Sequence, residues 1–372
     1  MNKNKQNSRI GNTLTSVESF EKNDIRKLLR MSITDFCNYR CFFCHNEGQG
    51  AINSTGSEMT IGEIKSIINI AYKAGIRRIK FTGGEPLLYS NSGSDIIDLL
   101  NECKRGNANK NLDLSIITNG YLLTNYLKKL KEAGLKRVTV SIPTLNKNLM
   151  KRYVKPDASN YDIKRVLNGV DSAIRAGMNP VKVNFTLFYS IQRDEGNFYE
   201  IGNIVDKCIE LGVTELRFHT LLWHNNFEKF DDYYIYWTKE ILEKLKAQFS
   251  AVIRRNPFFK EFFEKDLLLY SDKAFKIMYP RTRKFYTFSG PLSIVFEPMK
   301  LNRFSNSPYC INCEHQSKCQ EGAYSLRISA NGIISGCLLG NENIDFLKLI
   351  REGASEKYLL KIFEEAFRLL PQ

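Results

Sequence analysis

Six short runs rich in β-branched and aromatic residues, separated by amphipathic stretches of helical period, restrict this chain to an α/β fold on a parallel sheet. The runs are LLRMSIT (28–34), RRIKF (77–81), LDLSII (112–117), RVTVS (137–141), VKVNFTLF (181–188) and ELRFHT (215–220). Helical patterns occupy 61–75, 121–134, 161–177 and the stretch around 203–212, several closing on glycine, a common helix stop. Inside the strands, Arg30, Arg78, Lys80, Lys182 and Arg217 alternate with apolar neighbours. Side chains two apart on a strand share a face, so helices covering the apolar face leave these cations on the other. A closed eight-stranded barrel fills its interior with branched aliphatic side chains. A basic interior therefore predicts fewer strands and an open cavity holding something anionic. The alternative is that some of these strands are sheet edges with their charges in water.

The chain divides into a polar N-terminal segment (1–27), the βα core (28–222), an aromatic and basic connecting region (223–309) and a cysteine-bearing end (310–372). Residues 223–309 carry a helical pattern at 233–249 and are expected to roof the cavity; another helix is expected at 356–370. No run approaches the ~18 apolar residues of a membrane span, and the N-terminal segment lacks the apolar stretch of a secretory signal. A cytoplasmic protein is expected, where thiols stay reduced, so nine clustered cysteines point to metal or catalysis before disulfides. The formal charge of +14 suits nucleic acid, a phosphorylated small molecule or an acidic protein that delivers electrons. No arginine-rich tail, zinc-finger spacing or RNP-like motif turns that choice towards nucleic acid.

Cys37, Cys41 and Cys44 form C-x3-C-x2-C just after the first strand, close enough for three thiolates to meet on one metal cube. Three ligands on a 4Fe–4S cluster leave one iron open to a second cofactor. A structural zinc site would need a fourth ligand, for which His45 is the neighbour. Thr82-Gly83-Gly84-Glu85-Pro86 follows the second strand; its glycines permit close backbone approach and Glu85 can accept from an ammonium group.

With both motifs on successive βα units, residues 28–222 resemble the radical SAM superfamily, whose core is a partial (β/α)6 TIM barrel. The resemblance implies that Cys37, Cys41 and Cys44 hold a 4Fe–4S cluster that reductively cleaves S-adenosylmethionine. A 5′-deoxyadenosyl radical would then abstract hydrogen from the substrate. It further implies cofactor contacts from Phe43 near the adenine, from Gly83, Gly84 and Glu85 at the methionine amino group, and from Ser141 and Leu222. A flavodoxin- or ferredoxin-type electron donor is implied as partner.

The stretches 28–44, 77–88, 181–185 and 326–339 are most similar to the GTP 3′,8-cyclase family of molybdenum-cofactor biosynthesis. That similarity implies a nucleotide-like anionic small molecule held by Arg30, Arg78, Lys80, Lys182, Arg217 and Arg327. There are departures. The family's C-x2-C-x13-C becomes Cys310-x2-Cys313-x5-Cys319 followed by Cys337, a spacing closer to twitch and SPASM auxiliary-cluster domains. An auxiliary iron–sulfur cluster, of 4Fe–4S type with three or four of these cysteines, is the expectation; a structural zinc ribbon is the alternative. Ser325 and Arg327 stand in place of an arginine pair, Ile117 in place of a threonine, Pro143 in place of an aspartate, and Leu369-Leu370-Pro371-Gln372 in place of paired glycines. These changes count against GTP itself as the substrate. The competing readings are a cyclase-like enzyme, a peptide-modifying enzyme forming thioether or carbon–carbon links, and a non-enzymatic zinc protein that binds nucleic acid. Against the second, the segment before residue 28 is expected to leave no room for a separate leader-peptide domain, though a standalone partner could supply one. Cys103 and Cys208 read as buried thiols; His219 and His224 fall near the cavity mouth as packed or solvated side chains.

Overall fold

A computed structural model describes residues 28–45, 58–105, 111–157, 162–222, 230–235, 238–255, 282–287, 290–296, 325–338, 343–367 and 370. The six runs form parallel strands: β1 Leu28–Ser32, β2 Arg78–Thr82, β3 Asp113–Thr118, β4 Arg137–Ser141, β5 Val181–Leu187 and β6 Glu215–Thr220. Helices α1 Ile61–Lys73, α2 Ile96–Arg105, α3 Leu123–Glu132, α4 Ile163–Arg175 and α5 Ile201–Leu211 connect them.

Alternation explains the layering. In β5, Val181, Val183, Phe185 and Leu187 are buried while Lys182, Asn184 and Thr186 are half-buried. The apolar side meets the helices, and each such residue fully buried contributes about 1.5–3 kcal/mol. Helix α1 answers with Ile64, Ile67, Ile68 and Ala71 on one face. Thr60 starts it with a capping box: its hydroxyl accepts from the Glu63 N–H at 3.3 Å, and the Glu63 carboxylate accepts from the Thr60 N–H at 2.8 Å.

The sheet does not stop at six strands. Strand β7 Thr282–Thr287 pairs antiparallel with β8 Gly290–Phe296, which lies parallel to β6. At the other side β9 Leu326–Ile328 lies parallel to β1 and leads into the antiparallel β10 Ile333–Ser335 and β11 Asn343–Asp345. The order is β7-β8-β6-β5-β4-β3-β2-β1-β9-β10-β11. The described part of the connecting region thus extends the sheet beside β6, satisfying backbone groups that would otherwise lack partners. It also supplies α6 Lys239–Arg255, whose Gln248 side chain donates to the Phe198 carbonyl at 2.9 Å and whose Arg255 pairs with Asp206. Helices α7 Phe346–Arg351 and α8 Glu356–Ala366 close the chain's end, and Arg351 meets Glu63 of α1 at 2.7 Å. Among the described residues no helix is long and apolar enough to cross a membrane.

Candidate active site

The cysteine loop is an extension of the β1–β2 ladder. Ile33 N–H donates to the Thr82 carbonyl (3.1 Å), Gly84 N–H to Thr34 (2.8 Å) and Glu85 N–H to Phe36 (2.8 Å). So close a run leaves no space for a side chain: a Cβ on Gly83, at φ +139°, would lie 2.3 Å from the Thr34 carbonyl oxygen. At Gly84 it would lie 2.2 Å from the oxygen of Phe36. The close approach that these glycines allow is, in this structure, to the cysteine loop's own backbone.

Glu85 fastens the arrangement to β3. It is fully buried and accepts from the Thr118 hydroxyl (2.7 Å), the Asn119 N–H (2.7 Å) and the Leu87 N–H (3.1 Å). Burial pushes its carboxyl up to about 7, against the pull of those three donors. The expected ammonium contact therefore falls on a carboxylate already engaged by three donors. Asn119, which the sequence reading passes over, reaches from β3 to the loop: its amide donates to the Asn38 side chain at 2.7 Å and lies 4.0 Å from Cys37 Sγ.

On the far side, Arg40 and Phe42 N–H groups donate to Val154 and Tyr153, each at 2.9 Å. Phe42 sits in an aromatic nest with ring centroids 5.3 Å from Phe43, 5.2 Å from Tyr153 and Phe188, and 5.1 Å from Tyr233. The Tyr153 and Tyr233 hydroxyls lie 3.0 Å apart, and Tyr153 donates to Glu195 at 2.6 Å. Phe43 packs on Phe42 and Phe188 at the edge of this nest. Ser141 lies half-buried at the end of β4, in register with Asn184, and Leu222 lies half-buried just beyond β6.

The three thiols share one electrostatic neighbourhood. Burial pushes Cys37 up to about 12 and raises Cys41 well above the usual thiol range, and each is raised further by the thiol of Cys44. Thiolates at these positions need a cation to offset their burial, and soft sulfur donors suit iron. The fit rests on that donor chemistry, since among the described residues no three His, Cys, Asp or Glu side chains are closed on a single ion.

Below this loop the inward faces carry the charges. Arg327, Arg30, Lys80 and Ser115 occupy one register row across β9, β1, β2 and β3, and Arg78 lies two residues before Lys80 on the same face. Lys80 is half-buried in this row. Burial and the charges of Arg30, Arg217, Lys182 and Arg137 bring its ammonium down to about 7. The structure also places acids among these cations. Glu215 accepts from Lys182 at 2.9 Å and from Arg217 at 2.8 Å, and Asp113 pairs with Arg137 at 2.6 Å. The same alternation that reveals the cations marks Glu215, two residues before Arg217, and Asp113; applying it to one sign of charge alone misses them. His219 shares the face of Glu215 and Arg217.

Of the second cysteine group, Cys310, Cys313 and Cys319 lie outside the described residues, as does His224. Cys337 is half-buried, two residues past the end of β10. Because β9 runs parallel to β1 and β10 returns, Cys337 lies towards the end of the sheet where β1 begins, whereas Cys37 follows the end where β1 finishes. Cys103 and Cys208 are buried in α2 and α5.

The family described as "Radical SAM superfamily" matches residues 31–201. A "Probable GTP 3',8-cyclase" of Methanocaldococcus jannaschii is 33% identical over 338 residues, 90% of this chain and 92% of that protein. One of the same name from Methanococcus aeolicus is 31% identical over 329 residues, covering 88% and 90%. Among solved structures, Streptococcus suis SuiB bound to precursor peptide SuiA superposes with a TM-score of 0.55 at 16% identity, over 87% of this chain and 64% of SuiB. The chain thus spans less than two thirds of SuiB, and that likeness speaks to fold alone. The chain belongs to the radical SAM superfamily and is an enzyme of that class. Within the superfamily it is similar, over about nine tenths of its length, to proteins named as probable GTP 3′,8-cyclases.

Proposed function

We propose that this enzyme abstracts hydrogen from a nucleotide-like anionic small molecule in a cyclase-like reaction, with residues 28–222 as its radical core. The observation that carries the reading is the register row of Arg327, Arg30 and Lys80 on neighbouring parallel strands, two of which lead at their ends into the cysteine loop and the Gly83-Gly84-Glu85 turn. Cys37, Cys41 and Cys44 would hold a 4Fe–4S cluster, with S-adenosylmethionine lying against Phe43, the Gly83-Gly84-Glu85 turn, Ser141 and Leu222. Together, when bound, these cofactors supply one-electron cleavage of a carbon–sulfur bond and a carbon radical able to take hydrogen.

The chain's own groups do the rest. The aromatic nest around Phe42 keeps water from the loop's inner side. Glu85 and Asn119 keep the loop in register with β3. Arg30, Arg78, Lys80, Lys182, Arg217 and Arg327 orient the anion. Cys337, with Cys310, Cys313 and Cys319, would carry an auxiliary iron–sulfur cluster in residues 310–372. A flavodoxin- or ferredoxin-type protein, acidic against a chain of net charge +14, is the electron donor this reading requires. Of the readings weighed from the sequence, membership of an enzyme superfamily favours this one over a non-enzymatic nucleic-acid binder.

Anaerobic reconstitution followed by iron and sulfide analysis and EPR tests this reading. Two clusters are expected, one perturbed by S-adenosylmethionine and the other by GTP or a related nucleotide; protein that takes up zinc and no cluster would overturn it.

Lys80 makes the anion's binding depend on pH. Its ammonium is disfavoured by burial and by Arg30, Arg217, Lys182 and Arg137, with Glu215 the nearby acid bound to two of these, so it loses its proton near pH 7. The charged form, which attracts an anion, prevails below that pH. GTP affinity is therefore expected to fall as pH rises from 6 to 8.5, by about 10- to 100-fold for one charged hydrogen bond worth about 1.5–3 kcal/mol. Titration calorimetry checks this: Lys80→Met should flatten the profile, and a flat profile in the unaltered enzyme would refute the role.

A further inference from the structure

The segment that holds the far side of the cysteine loop also carries positive charge to the surface. A helical turn, Lys147–Leu149, runs into a wider π-helical turn, Met150–Val154, which ends at Lys155 in the left-handed region at φ +48°. Met150, Tyr153 and Val154 are buried, Tyr153 in the aromatic nest, whereas Lys147, Lys151, Arg152 and Lys155 are exposed. The segment is therefore amphipathic, with its apolar side occupied by the nest and its basic side left to solvent. Backbone bonds tie it to the loop. The Tyr153 and Val154 carbonyls accept from the Phe42 and Arg40 N–H groups, and the Asp157 N–H donates to the Asn38 carbonyl, each at 2.9 Å. Lys155 lies between two of these bonds, alongside the stretch that joins Cys37 to Cys41.

The charges here sort into pairs and a remainder. Arg152 meets Glu195 at 2.6 Å and Arg40 meets Asp157 at 3.6 Å. Among the described residues no acid pairs with Lys147, Lys151 or Lys155, which follow one another at intervals of four. Exposed lysines are ordinarily just solvated, and what sets these apart is their position. Cys37 and Cys41 are half-buried, but Cys44 is exposed, two residues beyond the Phe42–Tyr153 bond. The loop thus opens to the surface beside the segment that bears the three unpaired cations.

We infer that Lys147, Lys151 and Lys155 form the docking surface for an acidic protein that delivers single electrons to the cysteine site. The inference rests on the reading of Cys37, Cys41 and Cys44 as holders of an iron–sulfur cluster. One electron passes from the reduced flavin or iron–sulfur centre of the donor to that cluster; the donor is oxidised by one electron, the cluster is reduced by one, and no bond is made or broken. Such encounters bury less than about 1,200 Å² and depend on complementary charge, which speeds and orients the approach, more than on area. Three cations without resident counter-ions supply that attraction beside the exposed thiol.

The test uses full-length, anaerobically reconstituted enzyme, with an acidic flavodoxin, an acidic ferredoxin and a duplex oligonucleotide as binding probes. At least one donor is expected to bind, at least tenfold more weakly at about 300 mM salt than at about 50 mM. Lys147→Glu, Lys151→Glu and Lys155→Glu together should weaken that binding at least tenfold and slow donor-driven S-adenosylmethionine cleavage. Cleavage driven by dithionite, which needs no docking, should be unchanged. Donor binding as tight in the triple variant as in the unaltered enzyme would overturn the surface, as would binding of neither donor to the unaltered enzyme. Loss of oligonucleotide binding alone would reassign the lysines to nucleic acid and overturn it too. If the triple variant does not fold, Lys147→Gln with Lys151→Gln, which leaves the left-handed residue in place, should weaken donor binding about threefold; no change overturns the surface. Absence of dithionite-driven cleavage in the unaltered enzyme would instead overturn the reading of the cysteine site itself.

Discussion

Cys41→Ala is expected to abolish S-adenosylmethionine cleavage and to lower iron and sulfide uptake at the first cluster, while the folded protein survives. Cys41 is the middle thiol of the motif, and burial holds it well above the usual thiol range. Removing even a partner outside the ligand shell of a metal centre costs 10- to 100-fold in affinity or activity. Loss of one of three ligands should exceed about a hundredfold on that scale. The fold has little reason to fail, since a single sulfur atom is removed from a loop tied on both sides by backbone bonds: Arg40 and Phe42 to Val154 and Tyr153, and Glu85 to Phe36. Production of 5′-deoxyadenosine, read beside iron content and circular dichroism, checks this. Near-normal cleavage by a variant with full iron content would remove Cys41 from the site.

Gly84→Ala should disrupt the same loop without touching a thiol. The new Cβ would lie 2.2 Å from the oxygen and 2.5 Å from the carbon of Phe36, and 2.7 Å from the oxygen of Asp35. All three are backbone atoms, so no side-chain rotation relieves the clash. Overpacking of this kind costs about 1–3 kcal/mol. Loss of the Gly84–Thr34 and Glu85–Phe36 hydrogen bonds adds about 0.5–1.5 kcal/mol each. A total of about 2–6 kcal/mol is large beside the 5–15 kcal/mol that keeps a typical protein folded. The least costly escape is displacement of residues 34–36, which carries Cys37 with it. Thermal unfolding should show a lowered midpoint, and cluster uptake should fall with it; a variant with unchanged midpoint and full cluster content would contradict the geometry.

The six core strands are legible because period-two alternation runs through most of them, clearest in β5 and β6 and broken by Ile117 in β3, and the inward cations follow from it. The strands added at either side are not. Strands β9, β10 and β11 span three residues each, too few for alternation to declare itself. Strands β7 and β8 lie in a stretch where aromatic and basic residues mask any period. The terminal helix expected at 356–370 is observed as Glu356–Ala366, started by a Ser355 cap. The helix expected at 233–249 begins later, at Lys239, after a separate helical turn at Phe230–Tyr233. In the site, motif residues are visible in the sequence because their types are unusual for a loop. The hydrogen-bonded roles of Glu85 and Asn119 are not, because they depend on which neighbouring strand end the loop reaches.

The placement of β8 beside β6 and of β9 beside β1 has a consequence for how the protein can be divided. A fragment ending after residue 222 would keep every residue of the six-stranded core and lose both of its flanking neighbours. Two parallel strands, each with one apolar face, would then present open rows of amide and carbonyl groups, the template on which unrelated chains aggregate. The six strands are thus continuous in sequence, while the pairing that closes both sides of their sheet draws on residues 290–296 and 326–328.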